Sequence, residues 1–248
     1  MIKFILSIGV VIILGIYSIF SYIVCLFISD REVLDNYYSK LIRVVFKIVL
    51  FIDGVKTHVY GEEYLRELKD EKAIFVISNH RGYFDILTGY VTLDRKCGIV
   101  AKDTLRKVPI LGYWMKKIHC LFLDRKNLRS GAMMVVDAIK LIENGISIWL
   151  FPEGTRNKNH APEDLLPFKA GAFKIPEKTN CYILPMAIIN SENVFEKHLP
   201  RITSGDVYIG FGKPYKIENL SDTEKQKIDE YSQNIIRELI LDLKQKER

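Results

Sequence analysis

The sequence lacks clustered cysteine chemistry. Its four cysteines, Cys25, Cys97, Cys120 and Cys181, form no C-x-x-C pair and have no Cys/His array nearby, which argues against a zinc module. Scattered in this way they build no disulfide framework, so a reducing compartment suits the body of the chain. Internal repeats and low-complexity linkers are missing too. A content of 48% hydrophobic and 27% charged residues excludes a disordered or collagen-like chain. Charge is absent in one place above all: the 25 residues from Phe4 to Ile28 contain no Asp, Glu, Lys or Arg. That run explains a mean hydropathy of +0.06 in so charged a chain, and it excludes a purely soluble protein.

Acidic residues are scarce between positions 95 and 129. Ten basic side chains stand there (Arg95, Lys96, Lys102, Arg106, Lys107, Lys116, Lys117, Arg125, Lys126, Arg129) against only Asp103 and Asp124. The stretch carries +8 in a chain of net +6, so the remainder sums to −2. One basic surface facing an anionic partner is expected. Nucleic acid is set aside, because the chain has no helix-turn-helix spacing, zinc finger or aromatic RNA signature. Membrane lipid is the expected partner.

A helix over residues 4–28 would be about 37 Å long at roughly 1.5 Å per residue, enough to cross a ~30 Å hydrocarbon layer with tilt. The run exceeds the roughly 7–15 apolar residues of a signal peptide, and Tyr22-Ile23-Val24-Cys25-Leu26 offers no small-residue cleavage site. An uncleaved anchor is expected. Lys3 precedes it, whereas Arg31, Lys40, Arg43 and Lys47 follow, which puts the body on the cytoplasmic side of the cell membrane. Residues 37–52 form a second apolar stretch in which Lys40, Arg43 and Lys47 make one helical stripe. Such a helix lies in the membrane interface with its basic stripe among headgroups, or it is a core helix with a solvated stripe.

Beyond Asp53-Gly54, short apolar runs alternate with helical stretches. Strands are expected over 55–60, 73–78, 97–101, 120–123, 146–151, 181–188 and 207–211. Helices are expected over 62–69, 84–92, 129–144 and 170–178. A final helix opens on the capping box Ser221-Asp222-Thr223-Glu224 and carries the stripe Ile228, Tyr231, Ile235, Leu239 and Leu243. The fold class is therefore α/β: a single domain with a mixed, largely buried central sheet flanked by helices. Residues 1–30 are the expected membrane anchor, 31–52 the interfacial amphipathic helix and 53–248 the α/β domain.

Two segments combine polar chemistry with a strand end, where ligands bind in α/β sheets. The first is Asn79-His80-Arg81-Gly82-Tyr83-Phe84-Asp85. On a continuous helix His80 and Asp85 would point about 140° apart at ~100° per residue. They meet only if the backbone turns between them, for which Gly82 offers freedom. If they meet, Asp85 fixes the imidazole tautomer and leaves the other nitrogen to take a proton. That is a triad without its nucleophile, so the nucleophile would be a substrate hydroxyl. Alone the pair is weak, because a structural histidine fits the same spacing. The second segment is Phe151-Pro152-Glu153-Gly154-Thr155-Arg156. Here Gly154 and Thr155 can turn amides outward, and Arg156 supplies a planar fork suited to phosphate.

Together, NHxxxxD at 79–85, Phe122-Leu123-Asp124-Arg125, FPEGTR at 151–156 and Ile183-Leu184-Pro185-Met186-Ala187 resemble, in order and spacing, the motifs of the glycerophospholipid acyltransferases. The match is to the bacterial 1-acyl-glycerol-3-phosphate acyltransferases in particular. The resemblance implies His80 as base and Asp85 as its partner. It implies Arg125, Glu153, Gly154, Thr155 and Arg156 at the phosphorylated acceptor, with Lys102 near the phosphate. The implied reaction moves a fatty acyl group from acyl-CoA or acyl carrier protein to the free sn-2 hydroxyl of lysophosphatidic acid, giving phosphatidic acid, with no cofactor or metal. Amides at the start of the helix after His80 are expected to hold the oxyanion. Glycerol 3-phosphate or another lysophospholipid is the alternative acceptor. A thioesterase and a non-enzymatic lipid-binding protein are the other readings.

Overall fold

The structure, a computed structural model, describes residues 2–28, 30–159 and 161–247 but not the side chains at 2, 11, 18–20 and 22–26. Cys25 therefore falls outside the described side chains. All seven expected strands form: β1 Val55–Tyr60, β2 Phe75–Ser78, β3 Cys97–Lys102, β4 Leu121–Leu123, β5 Ser147–Leu150, β6 Ile183–Ile189 and β7 Gly205–Phe211. They make one sheet in the order β1-β7-β6-β2-β5-β3-β4. Only the β6–β7 pairing is antiparallel, so β6, β2, β5, β3 and β4 end on a common edge while β1 and β7 run the other way.

Helices cover both faces, and the strands sort their side chains with period two. Val76, Trp149, Leu184 and Met186 pack toward α2 (Arg31–Asp53), α4 (Tyr83–Leu93) and α5 (Pro109–Lys117), joining Tyr38, Phe84 and Trp114. Phe75, Ile77, Ile148, Ile183 and Ala187 pack toward α6 (Leu128–Glu143), α7 (Lys174–Thr179) and α9 (Ile228–Lys246), joining Met134, Phe173, Ile236 and Ile240. The one-turn helices α3 (Glu62–Glu67) and α8 (Asp222–Gln226) complete the set. The Ser221–Glu224 capping box forms, but it caps α8 alone, because the helix breaks at Lys227 before α9 begins. The deepest stripe of α9 is Ile228, Ser232, Ile236, Ile240 and Leu243, one position round from the expected one at Tyr231, Ile235 and Leu239.

The apolar N-terminal run is helical over Ile2–Phe27 (α1), and it docks along its length on α2. Lys3 Nζ donates to the Asp53 carbonyl at 2.8 Å, Ser7 Oγ to Asp53 Oδ1 at 3.1 Å, and Ser21 Oγ bonds the Tyr38 hydroxyl at 2.9 Å. Gly15 sits so close to α5 that a Cβ would fall 2.6 Å from Ile110 Cδ1. Among the described residues no helix is long and apolar enough to cross a membrane. The second helix spans Arg31–Asp53, the expected 31–52 and one residue more. It is capped by the Asp30 carboxylate on the Glu32 and Val33 amides and ended by Gly54 at φ 64. Tyr38, Ile42, Val45 and Leu50 make its core face, while Lys40, Val44, Lys47, Ile48 and Phe51 face outward. Arg43 leaves the expected headgroup stripe: it pairs with Asp94 at 2.8 Å and donates to the Arg95 carbonyl at 3.2 Å.

The basic stretch 95–129 does not form one surface. β3 separates Arg95 and Lys96 from Lys102 by roughly 20 Å at 3.3 Å per residue. Arg95 donates to the Leu68 and Glu71 carbonyls and so closes the amino end of the sheet. Lys102 and Arg125 lie at the carboxyl end.

Candidate active site

β2 ends at Ser78, and the next residue locks the strand end in place. Asn79 is fully buried; its amide donates to the Ile188 carbonyl at 2.7 Å and its carbonyl accepts the Ile188 N–H at 2.9 Å. His80 follows at the carboxyl edge. Its ring stacks on Phe151 at 4.1 Å between centroids, and the Asn157 amide donates to its carbonyl at 2.7 Å. His80 Nδ1 and Asp85 Oδ2 are 2.8 Å apart, so the expected pair meets. The chain turns through an extended Gly82, and Tyr83 starts α4, which brings Asp85 back under the imidazole.

Gly82 does not use the torsional freedom expected of it. At φ −148° its backbone is one any residue adopts, but a Cβ there would lie 2.7 Å from Glu196 Oε2. A side chain there would push that carboxylate end aside and stand 3.3 Å from the Glu192 backbone nitrogen. At Gly154 the converse holds: a Cβ would meet nothing nearer than 3.9 Å, but φ is +71°.

Asp85 is fully buried and fully engaged. Besides His80, its Oδ2 accepts the Arg81 and Gly82 amides at 2.7 and 2.8 Å, and its Oδ1 accepts the Ser191 hydroxyl. The Tyr83 amide donates to Glu196 at 2.7 Å. The amides of Arg81, Gly82 and Tyr83 are therefore spoken for, and the oxyanion donors expected at the start of α4 are not these three.

Glu153, expected at the acceptor, is turned inward and only 3% exposed. Its oxygens accept the His80 amide at 3.0 Å and the Leu166 amide at 2.9 Å. Burial pushes this carboxyl above the usual carboxylate range, and those amides pull it back. It is thus a strut beneath His80. Arg156 lies over the Tyr83 ring at 4.3 Å and pairs with Glu196 at 3.2 Å, on the same edge as the His80–Asp85 pair. Thr155 is exposed next to it. Lys102 and Arg125 are exposed on the same edge, two and three strands from β2, roughly 10 and 14 Å across at 4.8 Å per strand. They share the edge with His80 without touching it.

Sequence reasoning missed Arg81 and the segment after β6. Arg81 is buried and pairs with Glu192 at 2.7 Å. Ser191, Glu192 and Glu196 follow directly on Ile189, the end of a strand beside β2, which is the signal that could have found them.

Residues 56–189 match the family described as Acyltransferase. A 1-acyl-sn-glycerol-3-phosphate acyltransferase of Borreliella burgdorferi is 31% identical over 201 residues, covering 81% of this chain and 76% of that protein. One of Saccharomyces cerevisiae is 27% identical over 232 residues, covering 93% of this chain and 73% of that protein. The crystal structure of the 1-acyl-sn-glycerophosphate acyltransferase PlsC from Thermotoga maritima has the same fold, with a TM-score of 0.77, 23% identity and 98% of each chain covered. With the His80–Asp85 pair at a strand end of that fold, and with more than half of its length matched, this chain belongs to the Acyltransferase family.

Proposed function

We infer that this chain acylates the sn-2 hydroxyl of 1-acyl-sn-glycerol 3-phosphate, drawing the acyl group from acyl-CoA or acyl carrier protein and yielding phosphatidic acid. The observation that carries the reading is an imidazole whose Nδ1 is committed to a buried carboxylate, with a guanidinium on the same edge. The Nε2 of His80 takes the proton from the acceptor hydroxyl while its oxygen attacks the thioester carbonyl. As the C–S bond breaks, the leaving thiolate recovers that proton from His80. Asp85 stabilises the imidazolium between these steps, and Glu153 holds the His80 backbone in register. Arg156 binds the acceptor phosphate and thereby positions the hydroxyl, with Lys102 and Arg125 extending the cationic edge. The route draws on no metal or cofactor. The names carried by the relatives support this acceptor.

The membrane reading rests on exposed apolar side chains. Ile5, Ile8, Ile12, Ile13 and Ile16 of α1 face outward, as do Val44, Ile48 and Phe51 of α2, with Lys40 and Lys47 among them. An exposed apolar face of this kind is one that a lipid surface covers. The reading places the anchor in the cell membrane and the catalytic edge on its cytoplasmic side.

A donor-by-acceptor matrix tests the proposal. Acyl-CoA and acyl carrier protein are each offered with lysophosphatidic acid, glycerol 3-phosphate, a lysophosphodiester and monoacylglycerol. Lysophosphatidic acid is expected to be consumed fastest. Preference for glycerol 3-phosphate would move the acceptor assignment, and release of free fatty acid with no acceptor consumed would make the protein a thioesterase.

A further inference from the structure

Arg156 already has a partner in this structure. Its Nη1 lies 3.2 Å from Glu196 Oε1, and that same oxygen accepts the Tyr83 amide at 2.7 Å. One carboxylate oxygen thus sits at the N-terminal end of an 11-residue helix with a backbone amide and an arginine on it. This is the donor set that binds phosphate oxygens. A buried carboxylate normally has a partner on each oxygen. Glu196 does not: its Oε2 is buried with no hydrogen-bond partner, and burial raises its carboxyl above the usual range.

We propose that Glu196 is a resident anion that holds the phosphate position until the acceptor arrives, and that the acceptor's phosphate monoester must displace it from Arg156. The proposal rests on the reading of Arg156 as the phosphate ligand and assigns Glu196 a part in acceptor selectivity. A phosphate monoester brings roughly −1.5 to −2 charge and three acceptor oxygens, so it takes both donors from a single carboxylate. A phosphodiester brings one charge and gains little from the exchange, and a neutral lipid gains nothing. Glu196 thereby sets a threshold that favours the monoester over the diesters that make up the surrounding bilayer.

Glu196→Gln keeps a carbonyl for the Tyr83 amide and removes the competing charge. The KM for lysophosphatidic acid is expected to fall roughly two- to fivefold, the scale of a partly exposed ion pair, with kcat moving by less. Discrimination against a lysophosphodiester narrows, and inorganic phosphate becomes a better competitive inhibitor. In an Arg156→Ala background the same change should leave KM where it is. Glu196→Asp withdraws the carboxylate by one methylene and should shift KM in the same direction by less, which keeps the test open if the Gln variant does not fold. An unchanged or raised KM in Glu196→Gln, with Arg156→Ala alone still raising it, overturns the displacement and leaves Glu196 a brace. An unchanged KM in Arg156→Ala overturns the phosphate reading and this proposal with it.

Discussion

At the scale of single residues, His80 and Asp85 are expected to differ in what their loss costs. Removing a general base typically costs about 10²–10⁴ in rate, so His80→Ala should abolish measurable transfer while its circular dichroism spectrum stays that of the wild type. Asp85→Asn should cost less. The two amides on Oδ2 orient the Asn carbonyl toward His80 and so preserve the tautomer, and only the charge is lost. A near wild-type rate in His80→Ala would remove the mechanism. For Arg156, replacement by Ala should raise the KM for lysophosphatidic acid and leave that of the donor nearly unchanged, with Lys restoring only part because it lacks the two-pronged geometry. Monoacylglycerol, which has no phosphate, should be a poor acceptor and become no worse in Arg156→Ala. Equal damage to both acceptors would make the residue a support of the loop. These three residues were legible because each follows an apolar strand in a local motif. Glu192 and Glu196 were not, since their approach depends on β6 lying beside β2, a long-range pairing that no local pattern encodes. Glu153 was read by its motif as an acceptor ligand, and only its two backbone amides reveal the inward orientation.

At the scale of elements, the strongest constraint on the site is the approach of α4 to the sheet. Gly89 faces the Trp149 ring so closely that a Cβ would lie 2.4 Å from Cη2, and Trp149 cannot withdraw because its Nε1 donates to Ser78 Oγ at 2.7 Å. Gly89→Ala should therefore force α4 outward, with an overpacking cost of about 1–3 kcal/mol. In a chain of this size that corresponds to a loss of roughly 3–10 °C in Tm. Activity should fall with it, because Asp85 rides on the same helix. A variant as stable and active as the wild type would mean that the ring yields. The strands were all visible in the sequence, and for β2, β5 and β6 continuous apolar runs identify strands buried on both faces. The helix α5 was not: nine residues opening on Pro109 inside a basic stretch give too little periodicity. The break at Lys227 was hidden because Ser221 to Lys227 contain no apolar residue whose spacing could fall out of step with the stripe that begins at Ile228.

At the scale of the molecule, α1 and α2 put their outward apolar side chains on one side of the body. Lys3, Ser7 and Ser21 of α1 are turned inward onto Asp53 and Tyr38, and Arg43 is drawn onto Asp94. Among the described side chains, what faces outward is mostly isoleucine on α1, with Leu6, Tyr17 and Phe27, and a mixed stripe of Lys40, Val44, Lys47 and Phe51 on α2. The two parts should respond to different solution conditions. Burial of an Ile side chain contributes about 1.5–3 kcal/mol, independent of salt at moderate ionic strength. Pairing of the lysines with anionic headgroups contributes about 1 kcal/mol each and fades as the screening length shortens from about 10 Å at 0.1 M to about 3 Å at 1 M salt. Full-length protein carrying Ile12→Asp and Ile16→Asp should therefore move from the vesicle fraction toward the soluble one in flotation, and what remains bound should be released by salt. Lys40→Glu with Lys47→Glu should instead float with neutral and anionic vesicles alike, losing only the preference for the latter. Both pairs of positions are at the surface or beside it, so folding should survive in each variant, which a melting curve checks. If the double Asp variant floats as the wild type does at every salt concentration, the outward face of α1 is not what holds this chain to lipid.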